Sequence, residues 1–345
     1  MGCTLLLSSA VLLPPLIHRF GYRRTMSIGA VLAPLGLVLA SFSTQLWHIY
    51  LAQGVLFGLG CGFIYASSLA LPSMWFKRNR ALATGLSASG SGIGALVISP
   101  LNEHLIEKMG YRMALRIEGV LGFVLLAAAT CLAFSKPASG AIKRPPFQLL
   151  HRDLLHSDYL ILIGYCLVCY FGFFGPFFLA PQYTAFLGHS KSDGAARISL
   201  MAGMNSLSRI TMGFLADRFG NINVMFSCAL LAGLFTSVLW QTSSSYGAYT
   251  VFCILSGFTG GAFVSLLPVV TADIVGVENL QRGIGLCYLL TFFGNLLGSP
   301  IAGKLLENFG WTAAIQFSGA MTLFSALLLL VLRMKRSGGR LFVKL

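Results

Sequence analysis

The chain is short of charge, and of negative charge above all. Of its 345 residues 10% are charged, and 10 are Asp or Glu against 24 Lys or Arg, while 56% are hydrophobic. That shortage excludes a water-soluble globular protein, for which about 25% charged residues is usual. Partnered cysteines are missing as well. All eight (Cys3, Cys61, Cys131, Cys166, Cys169, Cys228, Cys253 and Cys287) lie in apolar stretches, where a thiol is a small hydrophobe. Cys166 and Cys169 form a C-x-x-C, but no second pair accompanies it, so neither a zinc nor a redox site is expected. No phosphate-cradling loop is present either, because Gly85, Gly90, Gly92 and Gly94 follow no strand and precede no suitably spaced acid. No nucleophile and base stand at usable spacing, so no enzyme, metal or cofactor is expected. The net charge of +14 does not point to nucleic acid, because the basic residues cluster in the loops of one side.

What the chain has in abundance is apolar runs. Eleven windows of about 20 residues, each long enough to cross a bilayer, fall at 1–17, 25–43, 47–71, 81–104, 114–134, 158–182, 196–215, 223–241, 246–272, 283–303 and 311–332. The one long polar connector, 135–157, is rich in Pro, Lys, Arg and His and reads as a cytosolic linker between 1–134 and 158–345. Charge sets the orientation. Seventeen basic residues, Arg19, Arg23, Arg24, Arg80 and Arg218 among them, fall on the linker side and in the C-terminal tail, and six on the opposite loops. The positive-inside rule therefore places linker and tail in the cytosol.

The windows repeat. Gly94, Ser99, Pro100, Leu105, Glu107, Gly110, Ala114 and Gly119 match residues 200 positions later, from Gly294 to Gly319. His18-Arg19-Phe20-Gly21 answers Asp217-Arg218-Phe219-Gly220 at an offset of 199. Two halves built in the same order are the architecture of a transporter with parallel repeats. By this register, residues 1–17 correspond to the second helix of a half, so the first half lacks its first helix. A shortened protein or gene model is expected, with the N-terminus outside.

Three segments carry a closer likeness. Phe76-Lys77-Arg78-Asn79-Arg80-Ala81-Leu82-Ala83-Thr84-Gly85 leads into Ser87-Ala88-Ser89-Gly90-Ser91-Gly92. Arg209-Ile210-Thr211-Met212-Gly213 runs into Ala216-Asp217-Arg218-Phe219-Gly220, and Pro268-Val269-Val270-Thr271-Ala272-Asp273 closes a later window. These resemble the major facilitator superfamily and, within it, the fungal monocarboxylate-transporter-like branch. The resemblance implies an all-α polytopic membrane protein of two pseudo-repeated helix bundles, with 11 of the usual 12 transmembrane helices. The family's acidic-Gly-Gly opening helix is absent, and His18 stands where its first loop motif has Asp.

Arg209 is the one basic residue deep in a membrane window. It precedes Asp217 by eight residues, about 12 Å at 1.5 Å per residue, near the middle of a ~30 Å hydrocarbon core. A guanidinium there costs at least ~3 kcal/mol unless it faces water or a partner. It can serve as a fork for a carboxylate, which is the role the resemblance implies, or be paired permanently with a neighbouring helix. Asn205 lies one turn away on the same face. Tyr65, Tyr170 and Phe174 sit at mid-depth and complete the candidate substrate-binding set. Asp217, Arg218 and Gly220, with Arg19, Arg23, Arg24 and Arg80, form the candidate gate: an acid offered to a helix N-terminus and bases to a nearby carboxylate. Asp273 is a candidate for proton coupling. The pairs Ala88/Gly92 and Gly90/Gly94 predict close helix contacts.

The function expected is secondary transport of a small organic anion, a monocarboxylate, by alternating access with proton coupling. A larger metabolite or vitamin is the second substrate class, and a sensor or inactive truncated relative the rival. The plasma membrane is the expected location, with the vacuolar membrane as alternative. No accessory subunit is specified.

Overall fold

A bilayer offers no water to an unpaired amide, so each apolar window must satisfy its own backbone as a helix. The computed structural model describes residues 13–76, 78–133, 156–340 and 343–344, and every regular element among them is helical. The window at 1–17 and the linker at 135–157 lie almost wholly outside the described residues.

Helix α1 (Leu13–Ala40) turns at Gly21, and α2 runs over 46–75 as one rod with a π-helical stretch at Tyr50–Leu56. Helices α3 (Arg80–Met109) and α4 (Tyr111–Leu132) complete the first half. In the second half α5 (Ser157–Phe173) and α6 (Gly175–Phe186) form one crossing, broken at Phe174. Then come α7 (Lys191–Phe219), α8 (221–240), α9 (Tyr246–Val275) and α10 (Leu280–Ser337). Eight helical stretches among the described residues are long and apolar enough to span a bilayer. One of them, the 58-residue α10, would be about 87 Å long if straight, and it turns at Gly310 into two arms. Both arms lie along the α5–α6 crossing. Tyr159 donates to the Gly283 carbonyl at one end, while Phe171 and Gly172 meet Gly298 and Ser318 at the other, so the arms are antiparallel. Helix α7 is long enough, but its Ser, Asn, Thr and Gly residues and Arg209 make it too polar to be recognised by apolarity. The ten windows from 25 onward therefore each hold one helical crossing.

The sequence repeat reappears in the backbone. Gly21 (φ 81), Gly110 (φ 80), Gly220 (φ 104) and Gly310 (φ 80) occupy equivalent turns. With ψ extended, this region is open essentially to glycine alone. The halves meet along equivalent seams: α3 packs along α7 and α9, and α10 touches α1 and α2.

Close approach at the α3–α7 seam is specific to position. A Cβ on Gly85 would lie 2.1 Å from the Arg209 carbonyl oxygen, and one on Gly213 would lie 2.6 Å from that of Ala81. A Cβ on Gly92 would overlap the Ser206 hydroxyl. The expectation for Gly90 and Gly94 fails, since neither has a neighbour within 4 Å. The contact face repeats at 85 and 92, two turns apart, and the other two glycines point away from it. Elsewhere the surface is apolar. Leu86, Val97, Val120, Val124 and Leu132 are 61%, 63%, 62%, 58% and 76% exposed, which suits lipid tails rather than water.

Candidate functional site

Arg209 sits within the α3–α7 seam, between the contacts of Ser206 and Gly213, and lines a cavity of about 300 Å³. Its Nε donates to Asn205 Oδ1 at 3.1 Å, and its Nη1 to the Ala88 carbonyl at 2.6 Å and to the Ser91 hydroxyl. Among the described residues Nη2 makes no hydrogen bond. Two nitrogens are anchored by protein, and the third presents its N–H groups to the cavity. Asn205 is 7% exposed and fixes the fork's orientation.

The remaining lining comes from both halves. Tyr65 on α2 and Ser91, Gly92 and Ala95 on α3 face Tyr170, Phe173, Phe174 and Phe177 on α5 and α6, with Ala202 on α7, Val264 on α9 and Asn295 on α10. Ala95 and Asn295 are partners in the 200-residue repeat, so the cavity straddles the axis relating the halves. All five sequence-predicted substrate residues (Arg209, Asn205, Tyr65, Tyr170 and Phe174) line this one space. Phe173, Phe177, Ser91 and Asn295 were not foreseen. The Gly175-Pro176 dipeptide was the available signal for the first two, because Pro cannot donate to the turn before it and so marks the break between α5 and α6. Among the described residues no acidic side chain lines the cavity.

The end of the bundle where α3 begins and α7 ends carries a polar cluster. The Asp217 carboxylate accepts the backbone N–H groups of Ala81 at 3.1 Å and Leu82 at 2.9 Å, so it caps the first turn of α3 from another helix. Exposed amides and the helix dipole both favour an anion there. Arg80 lies 3.6 Å from Asp273, which also accepts from Asn221 at 2.7 Å. Gly220 lines the same cluster, and Lys344 in the tail donates to the Asp217 carbonyl at 2.6 Å. Asp273 is therefore a member of the latch rather than of the cavity. Arg218 stacks on Phe219 and Arg19 on Phe20, and Arg23 and Arg24 are exposed. None of these four lines the cluster, so of the basic residues expected at the gate the structure brings Arg80 to it and not Arg218, Arg19, Arg23 or Arg24. At the equivalent seam Gln281, at the start of α10, donates to the Tyr22 hydroxyl at 2.9 Å. Lys335 and Arg336 reach Asp158 at 2.7 and 3.7 Å, tying the end of α10 to the start of α5.

Comparison with known proteins agrees with this layout. The Major Facilitator Superfamily profile matches the chain over residues 3–210 and again over 198–342. The chain is similar to the agnestins efflux protein of Paecilomyces divaricatus, at 30% identity over 94% of this chain and 75% of that protein. It is also similar to monocarboxylate transporter 12 of Homo sapiens, at 33% identity over 90% of this chain and 68% of that protein. The E. coli fucose:proton symporter shares the fold, with a TM-score of 0.76 and 14% identity over 95% of this chain and 89% of that one. The chain belongs to the Major Facilitator Superfamily and is a multi-pass membrane transporter, not an enzyme.

Proposed function

We propose that the chain carries a small organic anion, a monocarboxylate, across the plasma membrane by alternating access. Bundles 1–134 and 158–345, joined by a cytosolic linker at 135–157, rock about the cavity. The observation that carries this reading is the Nη2 of Arg209, at mid-membrane depth and without a hydrogen bond among the described residues, in a cavity that no described carboxylate lines. A cation so placed costs several kcal/mol unless an anion or water answers it. A carboxylate can take both Nη2 hydrogens, or share Nη1 with the mobile Ser91 hydroxyl.

Proton coupling, in this reading, acts through the latch. Protonation of Asp273 would remove the charge that attracts Arg80 and loosen the cytosolic face. A relative described as a monocarboxylate transporter fits the anion class, and one described as an efflux protein leaves the direction of transport open.

The test is uptake and binding of a labelled monocarboxylate by the chain in liposomes. Arg209→Lys keeps the charge but loses the planar fork, so binding should weaken by roughly 1–3 kcal/mol, about ten- to hundredfold. Arg209→Gln should abolish binding while the protein still inserts and folds. Normal uptake by Arg209→Gln would show that the arginine is structural.

A further inference from the structure

Arg209 explains one end of the cavity, and the other end is built of rings. Tyr170, Phe173, Phe174 and Phe177 all line the space. Their centroids stand 5.6 Å (Tyr170–Phe173), 5.1 Å (Phe173–Phe174) and 6.4 Å (Phe174–Phe177) apart, and the Phe173–Phe174 pair meets edge to face at 89°. The helix break makes this arrangement. In a continuous helix, neighbours 173 and 174 would point about 100° apart, whereas here Phe174 joins two helical segments and both rings reach the cavity.

The ring wall and the fork are neighbours. A single point, the Cβ position that Gly260 lacks, lies 3.1 Å from Phe173 Cε2 and 3.4 Å from Asn205 Nδ2. The same Asn205 holds Arg209 by its Nε. An apolar face thus begins within one side chain of the anion-binding nitrogen. Phe174 and Phe177 pack on the core at one side and line the cavity at the other. Tyr165, Tyr249 and Phe252 are at most 1% exposed, whereas Phe173, Phe174 and Phe177 stay half-buried on the cavity side. A three-carbon acid on Nη2 would leave that wall uncovered. The volume of about 300 Å³ sits at the lower end of the ~300–1,000 Å³ range of small-molecule sites, enough for a larger body.

We propose that the site selects carboxylates bearing a planar aromatic body over short aliphatic acids, with Phe173 and Phe174 as the specificity-determining pair. This rests on the anion-binding reading of Arg209. The carboxylate engages Nη2, the ring stacks against the 173–174 corner, and Asn295 and Ser91 face its polar edge. Aromatic stacking adds to plain apolar burial, and together they favour the ring-bearing acid by about tenfold or more.

The experiment compares benzoate with lactate on the whole chain in lipid nanodiscs by titration calorimetry. Benzoate should bind at least about tenfold tighter than lactate. Phe173→Leu and Phe174→Leu keep apolar volume but lose the ring, so each should weaken benzoate far more than lactate and remove most of that advantage. Phe177→Leu is a third variant should either of the others fail to fold, with melting temperature as the check. Equal affinities for the two acids, or an advantage that survives the leucine variants, would overturn the aromatic preference while leaving anion binding intact. Binding of neither acid would overturn the anion reading itself, and this inference with it.

Discussion

A single methyl group at Gly85 should open the cytosolic face. Its Cβ would stand 2.1 Å from the Arg209 carbonyl oxygen, where ordinary contact begins at 3.4 Å, so α3 and α7 must part by about 1.3 Å. Strain of this kind costs about 1–3 kcal/mol. The same retreat stretches the Asp217 bonds to Ala81 and Leu82, now 3.1 and 2.9 Å, beyond useful length. Each such charge-assisted bond is worth about 1.5–3 kcal/mol. Both losses fall on the closed state alone, because the seam separates when the face opens. A conservative total of ~2 kcal/mol moves the closed-to-open ratio about thirtyfold. Ala216 offers a reporter, being 1% exposed beside the latch. With Ala216→Cys added, an impermeant maleimide applied from the cytosolic side should label the Gly85→Ala protein many times faster than its Gly85 parent, after subtraction of native-cysteine labelling. Gly94→Ala, with no neighbour within 4 Å, should label like the parent. Equal rates for all three would refute the claim that this seam holds the closed state.

Asp217→Asn should also speed cytosolic labelling, because one acceptor oxygen is replaced by an NH2 group facing the amides of α3; unchanged labelling would show the cap to be dispensable. Gly110→Ala and Gly310→Ala should each cost about 1–3 kcal/mol, read as a lower melting temperature, because φ near 80 with extended ψ excludes a side chain. At the outer end of α7, Ser190 and Asp193 cap each other, and Ser190→Ala should cost about 1 kcal/mol locally, seen as faster amide exchange in the first turn. The Ser190 hydroxyl and backbone N–H hold the Asp193 carboxyl below its usual pKa. A lowered value means the cap is fully present above the ordinary aspartate range and is lost as pH falls through the folded value, so that exchange protection should fade only in strong acid.

Much of this site was legible from residue spacing. Arg209 stood eight residues before Asp217, and that distance alone set its depth. The loop motif ending in Gly220 announced an acid aimed at a helix start, and the structure places Asp217 on the first turn of α3. What spacing could not give was rotation. The break at Phe174 turns the helix, and only its geometry decides that Phe173 and Phe177 face inward with Phe174. The glycines of α3 posed the same problem. Gly85, Gly90, Gly92 and Gly94 look alike in sequence, yet two meet α7 and two face open space, according to which side of the helix the partner lies on. The partners of Asp273 were hidden for a related reason, since Arg80 and Asn221 come from other helices.

The Gln281–Tyr22 bond makes the duplicated gate lopsided. In the 200-residue register Gln281 corresponds to Ala81, and His18 holds the place that Asp217 holds in the other copy. One jamb is therefore bolted by an anion at a helix end, whose pull reaches across a Debye length of about 8 Å and weakens in salt. At the other, the contact described is the neutral Gln281–Tyr22 hydrogen bond, which acts only on touching. Opening should then begin at the bolt and swing about the neutral seam, so that a molecule assembled from two like halves moves as a door with one hinge side.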